Sequence, residues 1–296
     1  GQLGYDLNKI LNDYYLVLEP SYSGYCTPEV LEFLKYDQHK IVIQCYEEMD
    51  MAFIKRLNLN LIPIELGTNN WVDERIFEDM NREKKYDCIM VAMWSPIKRH
   101  NLLFKAVKQI NDPNLKICLI GSPWAGSTTN TIRNMARFYG IENQVEIFEN
   151  LPPNEVNRLF NLSKVHLLLS YKEGGNKAIC EGFFANVPSI ILNENIGGNR
   201  RFINEHTGRL CDKNSLAETI KYMRENYRRF NPRKWALENI SATASTAILE
   251  QKLKEIAESN GELWTRPIAV KVNKPELTYY HDNVDLKPLD FEKYKL

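Results

Sequence analysis

The sequence predicts an α/β fold in which parallel strands alternate with helices, and three observations support this prediction. Short runs rich in isoleucine, leucine and valine recur along the chain, and stretches with the periodicity of amphipathic helices separate them. Glycines stand where elements should end, since Gly121 follows the run LKICLI and Gly140 follows NTIRNMARFY. The 296 residues, 44% of them apolar, suffice for one large or two modest domains.

The first 80 residues predict a small set of βα units. We expect strands at residues 14–18, 40–45 and 59–66, and helices at residues 28–35 and 48–57. The polar, charged stretch 73–85 is interpreted as a linker to a second domain.

From Tyr86 onward the alternation is regular and predicts a doubly wound parallel sheet. We expect strands at residues 87–92, 116–120, 144–148, 165–169 and 188–192, and helices at residues 100–111, 128–139, 153–162, 176–185 and 213–226. Helices at residues 232–240 and 242–259 close this part, and the tail 261–296 lacks helical periodicity.

Composition argues against several classes of protein. No apolar run approaches the roughly 20 residues that cross a bilayer, no secretory signal is visible, and no basic stripe interleaved with aromatic residues indicates nucleic-acid binding. The six cysteines form no CxxC pair, which favours reduced thiols in the cytoplasm over disulfides or a zinc site. Residues 1–80 carry 6 basic and 14 acidic side chains, and the other 216 residues carry 32 and 24. The basic second part suits an anionic ligand, although a chance division of solvated charge explains it equally well.

The stretch SYKEGGNKAICE, from Ser170 to Glu181, is the most informative about function. Apolar runs precede and follow it, so the predicted order is strand, turn, helix and strand. Ligands of open parallel sheets bind at the carboxyl ends of strands, where glycine lets the backbone approach them closely. We expect Glu173 at such a strand end and Glu181 little more than one turn inside the helix, facing the same crevice. Free amides at the helix start would face an anionic or hydroxyl-rich ligand.

This segment resembles the paired-glutamate motif of the retaining group 1 glycosyltransferases. Four further pieces stand with it in the family's order: YDCIMVAMWSPIKRH, LKICLIGS, QVEIFENLPPNEVNRLF and IGGNRRFINEHTGRL. The resemblance extends from about Tyr86 to about Leu210. It implies a GT-B-like architecture of two Rossmann-like domains. The smaller or truncated N-terminal, acceptor-side domain would cover residues 1–82 and be completed by the tail 261–296, and residues 83–260 would bind the nucleotide sugar.

The resemblance also implies roles for three charged residues. Glu173 matches the first glutamate of the motif, which faces the donor sugar and helps to stabilise positive charge at its anomeric carbon. Glu181 matches the second glutamate, whose carboxylate accepts hydrogen bonds from the ribose hydroxyls. Lys98 matches the lysine that binds the diphosphate. The alternatives are a charge that favours the helix dipole for Glu173, a surface helix residue for Glu181 and a solvated loop lysine for Lys98.

The segment that contains Lys98 departs from the family at one position. The family usually has an arginine five positions before the lysine, and Met93 stands there in this chain. We expect Arg99 or Lys177 to supply the missing positive charge.

The turn after the first glutamate also departs from the family. Gly174, Gly175 and Asn176 stand where the family commonly has Gly-Phe-Gly. We expect their backbone to reach the sugar and to influence which sugar is accepted. Arg201 replaces a glutamate that usually follows the later Gly-Gly turn, and the glycine-rich loop and histidine of the family's first domain have no match.

The implied function is a metal-independent, retaining glycosyltransferase that moves a sugar from a nucleotide-diphosphate sugar to a glycan, lipid-linked or other acceptor in polysaccharide biosynthesis. We expect no cofactor and no metal, because no DxD-type motif follows a strand and the leaving charge would be met by side chains and helix amides. We expect a cytoplasmic protein that binds no nucleic acid, and we allow for peripheral membrane association. Two alternatives stay open: a nucleotide-sugar epimerase, and a non-catalytic nucleotide-sugar-binding or scaffold subunit, which the short first domain and Met93 favour.

Overall fold

The structure is a computed structural model that describes residues 4–20, 27–57, 59–273, 277–281 and 290–296. The chain divides into two compact units: unit 1 contains residues 1–71 and 242–296, and unit 2 contains residues 72–241. In chain order, the helices and strands are α1 (Leu7–Asp13), β1 (Val17–Leu18), α2 (Pro28–Leu31), β2 (Ile41–Gln44), α3 (Glu48–Leu57), β3 (Leu61–Ile64), β4 (Tyr86–Val91), α4 (His100–Ile110), β5 (Ile117–Gly121), α5 (Thr129–Tyr139), β6 (Val145–Glu149), α6 (Pro153–Asn161), β7 (Ser163–Leu168), α7 (Lys177–Phe184), β8 (Ser189–Leu192), β9 (Gly208–Cys211), α8 (Leu216–Asn226), α9 (Pro232–Asn239), α10 (Ala242–Ser259), β10 (Lys271–Asn273) and β11 (Leu277–Tyr279).

Unit 2, which is described throughout, is built on six parallel strands in the order β6-β5-β4-β7-β8-β9. Successive side chains of a strand point to opposite faces of the sheet. Cys88 and Met90 of β4 therefore pack into a core with α4, α5 and α8, whereas Ile89 packs with α6, α7 and α9. Because helices cover both faces, the central strands are rich in apolar residues on both faces, as residues 88–91 of β4 and 190–192 of β8 show. The predicted doubly wound parallel sheet is confirmed.

The strand order of unit 2 reverses between β4 and β7. Strands β5 and β6 follow β4 on one side, while β7, β8 and β9 lie on the other. Open α/β sheets bind ligands outside the carboxyl ends of the strands at such a switch point. The segment after β4 contains Lys98 and the segment after β7 contains Glu173. The topology thus brings both segments that the sequence singled out to one edge.

Unit 1 contains a smaller parallel sheet, in which the described strands have the order β1-β2-β3. Helices α1, α2 and α3 contribute Leu11, Val30 and Ile54 to the core on one face. On the other face, Leu253 of α10 packs into a core with Val42 of β2. Strands β10 and β11 form an antiparallel pair.

These units divide the chain at other places than we expected. Helix α10 belongs to unit 1, because its buried residues pack on the three-stranded sheet. The expected linker 73–85 starts inside unit 2, where Phe77 is buried in a core and Asp73 is only 2% exposed. Apolar residues set among the charges of this stretch give it a packed face. At the other end of the chain, Tyr294 of the tail donates a hydrogen bond to Asp13 of α1 at 2.6 Å.

None of the described helices is long and apolar enough to cross a membrane. The described cysteines are buried and free, and they are Cys45, Cys88, Cys118, Cys180 and Cys211. Burial raises the pKa of the Cys45 thiol to about 12 and the pKa of the other four thiols as well, so these groups stay protonated near neutral pH. Cys26 lies outside the described residues.

Candidate functional site

The loop after β4 is held against the end of β5. The N–H of Trp94 donates to the carbonyl oxygen of Ser122 at 2.8 Å, and its indole Nε1 donates to Thr129 Oγ1 at 3.1 Å. Gly121 permits this close approach, since a Cβ there would lie 2.2 Å from the carbonyl oxygen of Ala92. The loop then forms a short 3₁₀ turn that ends at Lys98.

Lys98 forms an ion pair with Glu173. Its Nζ donates to Glu173 Oε1, and the two side chains are only 10% and 11% exposed. Removing one partner of such a buried pair leaves the other charge uncompensated, so each partner stabilises the position of the other. The structure therefore brings together the two residues that the resemblance implied for the diphosphate and for the sugar.

Arg99 forms an ion pair with Glu194 and stacks against Tyr171. It adopts a left-handed backbone conformation, with φ at 58°, between the 3₁₀ turn and α4. Its guanidinium donates to Glu194 Oε1, and its Cζ lies 5.2 Å from the centre of the Tyr171 ring. We did not single out Glu194 from the sequence, because nothing local shows that the loop after β8 reaches Arg99.

The turn that carries Glu173 is fixed by the loop after β8. The N–H of Glu173 donates to the carbonyl oxygen of Ile196 at 2.8 Å, and the N–H of Ile196 donates to the carbonyl oxygen of Tyr171 at 2.7 Å. Gly197 has φ at 124°, and a Cβ there would lie 1.5 Å from the carbonyl oxygen of Glu173, so no other residue fits. Gly174, by contrast, has no positive φ.

Helix α7 begins after the turn, close to where the sequence predicts it. Asn176 is its N-cap, and the side chain accepts a hydrogen bond from the N–H of Ile179 at 3.3 Å. The backbone amides of Lys177 and Ala178 have no hydrogen-bond partner among the described residues. The Lys177 side chain is exposed and forms no ion pair within the described part of the chain. The helix start thus offers two free amides and a free cation.

Glu181 is the fifth residue of α7 and lies half-buried. No described residue forms a hydrogen bond with its carboxylate. Burial raises the pKa of this carboxyl group to about 7, and the nearby charge of Lys177 opposes that rise. A carboxylate that is partly withdrawn from water without a partner is a candidate for ligand binding.

Replacing Glu181 by glutamine is expected to stabilise the protein at pH 8. The ordinary pKa of 4.5 applies to the unfolded chain, and the folded value is about 7, so ionisation weakens the folded state as pH rises from about 4.5 to 7. The full penalty above pH 7 is at most about 3 kcal/mol. The gain on substitution should therefore be largest at pH 8 and shrink toward pH 5. Urea unfolding at both pH values measures it.

The exposed helical residue Glu238 provides the control for this experiment. Glu238→Gln should change the free energy of unfolding equally at both pH values. A Glu181→Gln variant that is no more stable than the wild type at pH 8 would show that the Glu181 carboxylate is well solvated or paired.

Two buried histidines lie near the sheet, and neither titrates near neutral pH. Burial lowers the pKa of His100 to about 4, with a smaller contribution from the charge of Lys98, and the ring packs edge-on against Trp94 at 5.4 Å. Burial also lowers the pKa of His166 to about 3. Both side chains are therefore neutral at physiological pH.

The described residues contain no group of three or more His, Cys, Asp or Glu side chains that could hold a metal ion. A cavity of about 810 Å³ lies in unit 1, where Leu249 of α10 and Trp264 of the following segment line it. None of the candidate site residues lines this cavity.

Comparison with known proteins identifies the family. The family model described as glycosyl transferases group 1 matches residues 72–236, which is more than half of the chain and nearly all of unit 2. No curated protein matches the chain at the required level of similarity.

Several solved structures share the fold. A TarM mutant of S. aureus in complex with Fondaparinux, alpha-GlcNAc-glycerol and UDP is 17% identical, with a TM-score of 0.62, over 82% of this chain and 50% of that one. HepE of Anabaena in complex with UDP is 14% identical, with a TM-score of 0.65, over 85% of this chain and 74% of that one. A glycosyltransferase of Rickettsia africae is 17% identical, with a TM-score of 0.61, over 85% and 79%. The chain thus spans half the length of TarM. The GT-B-like α/β fold expected from the resemblance is confirmed.

Proposed function

Because the chain belongs to the group 1 glycosyl transferases, we propose that it transfers a sugar from a nucleotide-diphosphate sugar to an acceptor. The observation that carries this proposal is the Lys98–Glu173 pair, which lies at the edge where the strand order reverses. The UDP in the TarM and HepE structures supports a nucleotide-diphosphate donor.

We assign the diphosphate to Lys98 and to the start of α7. Lys98 has three N–H donors and gives one to Glu173, so it retains donors for phosphate oxygens. The free amides of Lys177 and Ala178 add the positive end of a helix. Lys177 is a better candidate than Arg99 to replace the arginine that the family usually has at the position of Met93. Arg99 already donates a hydrogen bond to Glu194.

We assign the ribose to Glu181 and the donor sugar to Glu173. Ribose hydroxyls would donate to the Glu181 carboxylate and give it the partners that it lacks. Glu173, Gly174 and Gly175 would lie along the sugar, with the Glu173 carboxylate stabilising positive charge at the anomeric carbon. The turn from Gly174 to Asn176 would then influence which sugar fits.

We propose a reaction that proceeds with retention at the anomeric carbon and without a metal. The bond between the anomeric carbon and the diphosphate breaks, the diphosphate keeps the electron pair, and the acceptor hydroxyl forms the new bond. Lys98 and the α7 amides would stabilise the departing charge. The proton of the acceptor would pass to an oxygen of the leaving phosphate. His100, neutral and buried beside Trp94, is not needed as a base.

A glycan is the acceptor class that we favour. Alpha-GlcNAc-glycerol and Fondaparinux in the TarM complex support it. The acceptor side would belong to unit 1, and this assignment remains a prediction. A non-catalytic nucleotide-sugar-binding subunit is the second candidate, since Met93 stands where the family usually has an arginine and the site therefore has one positive charge fewer.

The proposal predicts that the full chain binds a nucleoside diphosphate without a divalent metal. A thermal-shift screen of UDP, GDP, ADP and dTDP in EDTA should single out one nucleotide, because base contacts add to the shared diphosphate contacts. Release of that nucleotide from its sugar conjugates then tests transfer. Residues 72–241 alone should retain binding, since they hold every proposed contact. Binding that strictly requires Mg²⁺ would rule out the metal-independent reading, and binding without any turnover would favour the non-catalytic subunit.

A further inference from the structure

Asn199, in the loop after β8, spans the turn that carries Glu173. It is fully buried and uses both halves of its carboxamide. Its Oδ1 accepts a hydrogen bond from the N–H of Asn176 at 3.0 Å, and its Nδ2 donates to the carbonyl oxygen of Gly174 at 3.0 Å. One side chain thus connects the residue after Glu173 with the N-cap of α7.

A second buried asparagine extends this arrangement. Asn195 Nδ2 donates to the carbonyl oxygen of Ser170 at 2.8 Å, and Asn199 Nδ2 also lies 3.4 Å from Asn195 Oδ1. Together with the backbone contacts of Ile196, these bonds fix the turn at both ends. Buried amides that are fully paired in this way are costly to replace.

We propose that Asn199 is a positioning residue for sugar transfer, which sets Glu173 and the first amides of α7 in one geometry; this inference rests on the proposed function. The two groups that it aligns are those that would meet opposite charges in the transition state, at the anomeric carbon and at the diphosphate. A misplacement of about 1 Å in such a site costs about 100-fold in rate. Only a side chain that both donates and accepts fits the two contacts of Asn199.

The substitution Asn199→Asp removes the donor of Asn199 and keeps its acceptor, with little change in the shape of the side chain. The introduced carboxylate accepts from Asn176 but cannot donate to Gly174, and it faces that carbonyl oxygen with a negative charge. When protonated, the introduced group donates again. The loss of turnover in Asn199→Asp, relative to the wild type, should therefore become smaller as pH falls. A variant that had only lost packing would show no such pH dependence.

The matched control is Asn193→Asp in the same loop. Asn193 is exposed, and its Nδ2 donates to Asp212 Oδ1 at 3.0 Å without touching the Glu173 turn. We expect Asn199→Asp to lower kcat for donor turnover about 100-fold at pH 8 and to recover part of it toward pH 5.5, relative to the wild type at each pH. The donor KM should change far less than kcat, because the contacts of Lys98 and Glu181 with the donor do not depend on Asn199. Asn193→Asp should show neither effect.

Hydrogen exchange of the peptide covering residues 170–177 in the full-length protein tests the same inference without turnover. Exchange should be faster in Asn199→Asp at pH 8 than in the wild type and in Asn193→Asp, with the rest of unit 2 still protected. If the wild type is active and the kcat of Asn199→Asp at pH 8 lies within about threefold of the wild-type kcat, Asn199 does not have the proposed positioning role. Unchanged exchange in that peptide would overturn it as well. A wild type that turns over no nucleotide sugar would instead refute the proposed function, and exchange would still decide whether Asn199 holds the turn.

Discussion

Replacing Glu173 by alanine is expected to lower turnover of the nucleotide sugar about 100- to 1,000-fold, the usual loss when a group that stabilises developing charge is removed. Affinity for the nucleoside diphosphate should stay the same or rise. Lys98 donates to Glu173 in the free protein and becomes fully available to phosphate when the carboxylate is gone. Initial rates and calorimetric titration measure the two effects separately.

The design must separate catalysis from stability, because the alanine leaves Lys98 as a buried, unpaired charge. Glu173→Gln keeps the size of the side chain and an oxygen that accepts from Lys98, so it should fold like the wild type and still lose turnover. Glu238→Ala, on an exposed face of α9, is the control for losing a carboxylate. If Glu173→Gln turned over the donor as fast as the wild type, the Glu173 carboxylate would have no catalytic role.

Replacing Lys98 by alanine is expected to weaken binding of the nucleoside diphosphate by about 10- to 100-fold, since a hydrogen bond to a charged group contributes about 1.5–3 kcal/mol. Binding of the bare nucleoside should change far less, because the proposed contacts of Lys98 are with phosphate. Calorimetric titration with both ligands measures the difference. Met93→Arg should leave the diphosphate affinity unchanged or raise it.

Lys172, which directly precedes Glu173 in the sequence, provides the matched control for Lys98. Its side chain is exposed and forms no ion pair within the described part of the chain, so Lys172→Ala removes a positive charge close to Glu173 in the sequence without breaking the buried pair. A double variant that lacks both Lys98 and Glu173 should be more stable than the sum of the two single losses predicts, because neither charge is left unpaired. If Lys98→Ala weakened the binding of the diphosphate and of the bare nucleoside equally, the loop that contains Lys98 would shape the pocket without binding phosphate.

The core of unit 2 could be predicted from the sequence because its elements are buried and strongly periodic. Strand β5 and residues 88–91 of β4 are continuous apolar runs. Helix α5 has a capping threonine at its start and Gly140 in a left-handed conformation at its end. Strand β9 was not predicted, because its middle residues, Arg209 and Leu210, are exposed. The short helix α1 was missed as well, since Leu11 is its only buried residue.

The candidate site could be predicted only where function depends on residue type within a short segment. Lys98, Glu173 and Glu181 stand in recognisable motifs. Glu194 and Asn199 act across a tertiary contact between two loops, and no local pattern shows where their side chains reach. Glycine was expected to serve the turn at Gly174 and Gly175, whereas the positive φ and the tightest approach occur at Gly197 in the facing loop.

A crystal structure of the full chain with its preferred nucleoside diphosphate, grown without divalent metal, tests the donor site most directly. The account predicts a diphosphate within hydrogen-bond distance of Lys98 Nζ and of the Lys177 and Ala178 amides, with the ribose hydroxyls on the Glu181 carboxylate. A nucleotide bound elsewhere, for example in the unit 1 cavity beside Trp264, or a diphosphate held through a metal ion away from Lys98, would contradict it.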